Sequence, residues 1–587
     1  RAIDATGVMF KLRNTSKGAA VRGPRAQADK YAYAAEVQRL ISTRPNIDVI
    51  ASRVDDLIVE DGEIISVRLP AGAGVVRADE RAIERNARAN ARAEPVYPSA
   101  ARTEDAARDE IMLQAGAVIL TTGTFMRGLM HTGEQRTAGG RVGEGSAEGI
   151  SATLRRLGFE LGRLKTGTPP RLAKESVDWD ALPEQIGDAT PLPFSDMSPA
   201  ILEGERFPRL SQIDCRITQT TAEAHELIRA NLDRAPMFSG QIEADTGPRY
   251  CPSIEDKVVR FADRASHHVF LEPESLHTNE IYCNGISTSL PTDVQERIVH
   301  LMPGCARATI LRWGYAVEYD MVWPHQIDST GETKLVRGLY LAGQINCTTG
   351  YEEAGAQGVV AGLNAARRVQ GEDPYHFARS EAYIGVLMDD LVTKTPREPY
   401  RMFTSRAEHR LLLRADNADE RLTPLGHQLG LVDEARMTAW RTREAELERV
   451  RRAFDAINVN GKTLREFARR PDVNLPTILS HLNGRADDVS ERIIDRVITE
   501  ARYEGYIDRQ SAEIRRQSEA DHRAIPEWID FRAISGLRSE AAEVLDRFRP
   551  RTMGQASRLA GVNPADVTLI AVAIRRGRLE PLAPLTG

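Results

Sequence analysis

The sequence predicts an α/β protein that becomes helical toward its C-terminal end. A buried-strand signal at Ala117-Val118-Ile119-Leu120 runs into Thr121-Thr122-Gly123-Thr124, a turn that suits backbone approaching a cofactor. A second strand signal, Leu339-Tyr340-Leu341-Ala342-Gly343-Gln344, is followed by a loop and a helical pattern, the order of a βα unit. After residue 395 the pattern turns to charged amphipathic helices, most clearly from Asp433 to Ile457.

A chain of 587 residues is long enough for several domains with large cores. Hydrophobic residues at 41% and charged residues at 28% exclude a disordered chain. No apolar run is long enough to span a bilayer and no signal-peptide pattern opens the sequence, so a cytoplasmic protein without membrane contact is expected. Five scattered cysteines, Cys215, Cys251, Cys283, Cys305 and Cys347, contain no CxxC spacing, which argues against a disulfide framework or a metal site. The net charge of -6 excludes indiscriminate nucleic-acid binding, so a nucleic-acid partner has to be met by a local basic patch.

Along the chain, a polar loop from Asn14 to Gly18 precedes Arg22-Gly23-Pro24-Arg25, whose two arginines suit an anion or plain surface charge. A helical pattern then covers Ala26 to Ile41. Two alternating apolar runs, Leu57 to Val59 and Ile64 to Val67, flank Glu60-Asp61-Gly62-Glu63 and predict a hairpin. Between Ala71 and Glu110 lie 12 alanines, which reads as an inserted low-complexity segment. The glycine-dense run from Gly139 to Gly145 lacks the GxGxxG spacing, so no dinucleotide fingerprint is present. Arg163 to Arg171, basic and ending in two prolines, reads as a surface connection.

The strongest chemical clue is Gly247-Pro248-Arg249-Tyr250-Cys251-Pro252-Ser253-Ile254-Glu255-Asp256-Lys257-Val258-Val259-Arg260-Phe261. Pro252 suits a first helical position, and Ile254, Val258 and Phe261 recur at helical spacing, which puts Cys251 in the N-cap region. Unpaired amide groups there favour a thiolate, with Arg249 or Lys257 adding positive charge. A free cysteine is also commonly a small buried hydrophobe, and the residues alone leave both readings open.

In the helix expected from about Glu352 to Arg368, Gly355, Gly358 and Gly362, with Ala354, Ala361 and Ala365, leave little side chain on the faces. Each glycine costs about 1 kcal/mol relative to alanine, so close packing against a sheet or a ligand is expected in return. Arg406, Arg410 and Arg414 share a helical face by spacing. Residues 547–578 hold seven arginines and one acid, Asp566, the best candidate for a phosphate-contacting surface.

These segments resemble the MnmG (GidA) flavoprotein family, which modifies the wobble uridine of tRNA. Residues 247–261 look like its first signature and residues 342–365 like its second; residues 16–29, 163–171, 398–414 and 554–561 are also similar. The resemblance covers the chain except residues 71–110, and it places the family's glycine-rich FAD loop and a first functional cysteine ahead of Arg1. Cys347 stands where the family usually carries glycine. The implied fold is an α/β FAD/NAD(P)-binding, glutathione-reductase-like domain (residues 1–150 and 335–395) with an inserted second α/β domain for NAD and substrate (151–334). An α-helical C-terminal domain (396–587) for tRNA and the partner GTPase completes it.

The implied reaction uses FAD, NADH and 5,10-methylenetetrahydrofolate to add a carboxymethylaminomethyl or aminomethyl group to C5 of uridine 34. It proceeds together with the GTPase MnmE, as a homodimer that forms a heterotetramer with it. Cys251 matches the second functional cysteine, nucleophile at C6 or general acid. Residues 247–261 match the NAD-binding region, and Val54 and Gln344 match positions near FAD. Two alternatives stand beside this: a folate- and FAD-dependent tRNA uridine methyltransferase, and a truncated, non-catalytic tRNA- or GTPase-binding subunit.

Overall fold

The computed structural model describes residues 1–70, 74–76, 110–244, 252–394, 398–403, 406–482, 484–485 and 488–577. The alanine-rich insertion from residue 77 to 109, residues 247–250, Cys251 and Arg578 lie outside the described residues.

At the centre, strands Val118–Leu120 and Leu339–Leu341 pair in parallel, with Leu339 opposite Val118 and Leu341 opposite Leu120. Parallel neighbours need a crossover connection, and here everything from residue 121 to 338 supplies it. Helix Tyr351–Gln370 covers this pair, and its Ala361 and Ala365 pack with Tyr340 and Ala342. Beside it, Asp56–Glu60, Glu63–Leu69 and Ile111–Gln114 form an antiparallel sheet. The expected hairpin is there: Asp61 and Gly62 both have positive φ, as a two-residue type I′ connection requires.

The crossover builds two further sheets. One runs in the order Gln135–Ala138, Leu129–Thr132, Tyr315–Val322, Leu161–Thr168, and the other has six strands with Cys215–Gln219, His268–Pro273 and Glu280–Asn284 in its interior. Helices Ala222–Arg229, Ile254–Arg260 and Thr292–His300 bury Ile228, Ile254, Val258, Val294 and Ile298 with Val269, Leu271 and Ile281 of that sheet. At the C-terminal end, Glu434–Ala456 and Glu491–His522 pack around Phe454, Val450, Ile494 and Val497. Helices Ser539–Phe548 and Pro564–Gly577 close a second core on Leu545, Phe531 and Ile570. No helix among the described residues is long and apolar enough to cross a membrane.

Four expectations are corrected. Residues 23–28 are not helical: Gly23–Ala28 pairs antiparallel with Gly7–Arg13, and the helix is Lys30–Ser42. Its start is fixed by Asp29, whose Oδ1 accepts from the Tyr31 and Ala32 amides while Oδ2 accepts from Ser275 and Leu276. The segment at 163–171 is no surface connection but two strands, Leu161–Thr168 and Arg171–Ala173, with Lys165 and Leu164 buried. Arg406, Arg410 and Arg414 do not share a helix, because the segment forms turns; Arg406 lies over the Tyr400 ring and Arg414 is buried against Asp416. Arg22 and Arg25 are held by Asp495 and Glu272, so neither is set aside for an anion.

The basic C-terminal stretch is largely a seam. Arg547 pairs with Glu160, Arg551 with Asp328 and Arg558 with Asp389, tying the last helices to the α/β part, while Arg549 pairs with Asp546. Arg575 and Arg576 remain exposed. In the same seam the Lys334 ammonium donates to the carbonyls of His325 and Phe548. Burial, with Arg547 nearby, pushes the His325 imidazole down from 6.5 to about 4. Above pH 6.5 the ring is neutral in both states; below it the unfolded chain takes up a proton that the seam refuses down to about pH 4. Stability therefore falls as pH drops through that window, and His325→Gln is expected to flatten the fall in a thermal-denaturation series.

Candidate functional site

Ligands of open α/β sheets bind beyond the carboxyl ends of the parallel strands. Here those ends carry the turn at residues 122–125 and the loop Gly343–Asn346. Gly343 has φ of +85°, and a Cβ at Gly123 would lie 3.7 Å from Oε1 of Gln344. The two loops are thus in contact, and Gln344 also donates to the Tyr319 hydroxyl at 3.3 Å. Thr122 Oγ1 and Asn346 Oδ1 are buried without a hydrogen-bond partner, the kind of acceptors and donors a polar cofactor satisfies. The glycine-dense segment 139–145 lies against the same turn, since Thr124 Oγ1 donates to Gly140 O at 2.7 Å and a Cβ at Gly140 would meet the Phe125 ring at 2.5 Å.

Gln357, in the second turn of helix Tyr351–Gln370, holds this loop in shape. Its Oε1 accepts from the Gly343 amide at 2.9 Å and from Asn346 at 3.2 Å, and its Nε2 donates to Thr348 Oγ1 at 2.8 Å. Cys347 sits in left-handed backbone, φ 52° and ψ 41°, a conformation that costs a side-chain-bearing residue about 1–2 kcal/mol and explains why glycine suits the position. The Cys347 carbonyl accepts from the Tyr400 amide at 2.7 Å, and Glu353 accepts from the Met402 amide at 2.9 Å. Of the small residues of the helix, Ala361 and Ala365 do the expected packing, whereas a Cβ at Gly355, Gly358 or Gly362 would meet nothing within 4 Å.

The signature helix is Ile254–Arg260, and its N-cap is Ser253, not Cys251. The serine hydroxyl accepts from the Asp256 amide, a bond no thiol makes as well, so the helix starts two residues later than Pro252 suggests. Pro252 therefore precedes the cap. Ile254 and Val258 are buried; Val259 and Phe261 are exposed, because the helix ends at Arg260 before the third apolar position turns inward. Lys257 donates to Gly285 O at 2.7 Å, and Arg260 pairs with Asp256 at 2.8 Å.

Two buried polar groups face this helix start. Glu255, fully buried, accepts from the Ser289 amide and hydroxyl with Oε1, while Oε2 has no partner among the described residues. Lys165, 3% exposed, reaches only Met237 Sδ at 3.8 Å among the described residues, the same sulfur that Ser253 Oγ approaches at 3.9 Å. Burial pushes the Lys165 ammonium down, opposed by Glu255 and Asp256.

Strand Leu161–Thr168 links the two regions. Leu164 packs with Tyr319, Met321 and Cys347 behind the Gln344 loop, and Lys165, pointing to the opposite face, reaches Met237, whose sulfur Ser253 also approaches. Val54 is half-buried against the central core, and the carbonyl of the adjacent Asp55 abuts Gly149, just beyond the glycine-dense segment. The described thiols are unreactive by burial, which pushes Cys215, Cys305 and Cys347 up to about 12 and Cys283 well above its ordinary value. Lys165, Gln357 and Tyr319 are the site residues that sequence reasoning missed. Lys165 was read as part of a surface loop, and a lone glutamine or tyrosine inside an apolar pattern carries no local signal.

Gln357→Leu strands three groups, each costing about 1–3 kcal/mol when buried and unpaired. Hydrogen exchange is expected to show residues 343–348 losing protection while the C-terminal helices keep theirs.

A family model described as glucose inhibited division protein A matches residues 1–83 and 102–373. Models for the C-terminal helical domain and the C-terminal helical bundle of the tRNA modifying enzyme MnmG/GidA match residues 433–511 and 513–582. The gap in the first match falls inside the alanine-rich segment. The tRNA uridine 5-carboxymethylaminomethyl modification enzyme MnmG of Rhodopirellula baltica is 46% identical over 99% of this chain and 84% of its own length. That of Protochlamydia amoebophila is 43% identical over 99% of this chain and 86% of its own. A crystal structure of Aquifex aeolicus GidA superposes with a TM-score of 0.83 at 38% identity, covering 98% of this chain and 87% of that one. With these matches running through the α/β part, the signature helix and the helical end, the chain belongs to the MnmG/GidA family.

Proposed function

We propose that this protein is a flavin-dependent tRNA-modifying enzyme that adds a carboxymethylaminomethyl or aminomethyl group to C5 of the wobble uridine, position 34. The observation that carries the reading is identity of 46% sustained over 99% of the chain to a relative named for that modification. The methyltransferase and non-catalytic alternatives have no comparable support.

The proposal extends to NADH as reductant, 5,10-methylenetetrahydrofolate as one-carbon donor, and the GTPase MnmE as partner of a homodimer, together a heterotetramer. FAD, when bound, supplies reversible two-electron chemistry. Thr122, Gln344 and Asn346 fit it, since two of their buried polar atoms lack partners at the end of the parallel strands. Val54 is assigned to the same cofactor, and residues 247–261, with the helix that begins after Ser253, to the nicotinamide nucleotide.

Cys251 is the proposed catalytic thiol, acting on the pyrimidine as nucleophile at C6 or as general acid. Burial pushes the Lys165 ammonium down, opposed by Glu255 and Asp256 of the signature helix, which makes this amine the proposed proton-handling group there. A wobble base lies in a single-stranded loop, so extruding it from the anticodon costs less than from a duplex. The division into an FAD-binding domain (1–150 and 335–395), an inserted domain (151–334) and a helical domain for tRNA and MnmE (396–587) is part of the same proposal.

The test is complementation of a deletion strain followed by nucleoside analysis of its tRNA. Wild-type protein is expected to restore the C5-modified uridine, while Cys251→Ser folds and keeps its flavin but restores none. Normal modification in cells carrying only Cys251→Ser would contradict the catalytic assignment.

A further inference from the structure

A cavity of about 410 Å³ is lined in part by the glycine-dense segment, through Arg141, Val142 and Glu144. Its walls bring together Lys30 and Tyr31, Arg141, Arg171, and the adjacent pair Arg312 and Trp313. These come from four separate stretches of chain, so the cavity exists only in the folded protein. Its volume lies in the range of sites for small organic ligands.

Two features set its chemistry. Trp313 is 38% exposed and Leu311 44% exposed at its wall, although both are large apolar groups, and Trp313 has no aromatic partner among the described residues. Four cations, Lys30, Arg141, Arg171 and Arg312, line it against one lining acid, Glu144. Glu274 serves Lys30 at 2.9 Å and Arg171 at 3.0 Å, Glu280 serves Arg312 at 3.0 Å, and Glu144 pairs with Arg141. The single carboxylate of Glu274 is thus shared between two of the cations. An exposed indole face among guanidinium groups is the combination that takes a planar base together with its phosphate.

We propose that this cavity is a nucleotide subsite, with a base stacked on Trp313 and its phosphate held by Arg141 and Arg312. The inference rests on the tRNA-modifying reading above and adds to it the place where a nucleotide docks. Two sources share that chemistry: a nucleotide of the tRNA anticodon loop, and a nucleotide half of NADH. The cavity borders the flavin-end turn through Arg141, which lies next to the Gly140 that packs on Phe125. Either source placed there lies beside the proposed reaction centre.

The experiment measures two quantities on the flavin-loaded full chain: affinity for an anticodon stem-loop RNA, and the anaerobic rate of flavin reduction at limiting NADH. Trp313→Ala is expected to weaken one of them by about 10-fold and leave the other unchanged, which identifies the source. Trp313→Phe, which keeps an aromatic face, restores most of the loss. Arg141→Gln, at an exposed position paired with Glu144, is expected to weaken the same quantity and guards against a folding defect in the tryptophan variant. Both quantities within 2-fold of wild type in Trp313→Ala and Arg141→Gln would overturn the subsite. A wild-type protein that neither binds the RNA nor accepts electrons from NADH would instead contradict the function proposed above.

Discussion

The architecture depends on the parallel pairing of two three-residue strands, Val118–Leu120 and Leu339–Leu341. Closing a loop of that length carries a loop-closure entropy cost, which burial of Leu120, Leu339 and Leu341 with helix Tyr351–Gln370 offsets. The pairing brings the turn after one strand and the loop after the other side by side. It therefore places Gly123 against Gln344 and leaves Thr122 and Asn346 with unsatisfied polar atoms at the strand ends. Gln357 then fixes the second loop from below, and the Tyr400 amide fixes it from the side.

The strand Leu161–Thr168 carries that arrangement outward. Its pairing with Tyr315–Val322 is reinforced by Asp320, which is fully buried and receives Arg163, Arg155 and Arg127. Because successive residues of a strand face opposite ways, one strand supports the Gln344 loop through Leu164 and, through Lys165, contacts Met237, which the signature helix's cap Ser253 also approaches. In the proposed reaction this is the physical connection between the flavin end and the thiol-bearing segment.

The parts legible in the sequence were those with a local cause. The Asp-Gly hairpin, both buried strands and the helix after Asp433 each follow from turn chemistry, apolar runs or a cap, and all are present. The signature helix was legible but begins at the better cap, Ser253. What the residues hid was set by distant partners. The segment 23–28 becomes a strand because Gly7–Arg13 pairs with it, and Lys165, in a segment whose composition reads as surface, is buried with its amine against Met237, distant in sequence. Distant partners also take up part of the basic C-terminal stretch. Arg551 and Arg558 look like a nucleic-acid patch in sequence but meet Asp328 and Asp389, which lie far away in the chain. Of the small residues of helix Tyr351–Gln370 expected to allow close packing, Ala361 and Ala365 do so against Tyr340 and Ala342, whereas Gly355, Gly358 and Gly362 face open space.

The central claim is that the ends of the two parallel strands build the flavin site. A crystal structure of the protein purified from its host with FAD tests it most directly. The account predicts flavin density against the turn at residues 122–125, with polar contacts to Thr122, Gln344 or Asn346. Flavin bound away from that turn, or protein that takes up no FAD, would contradict it.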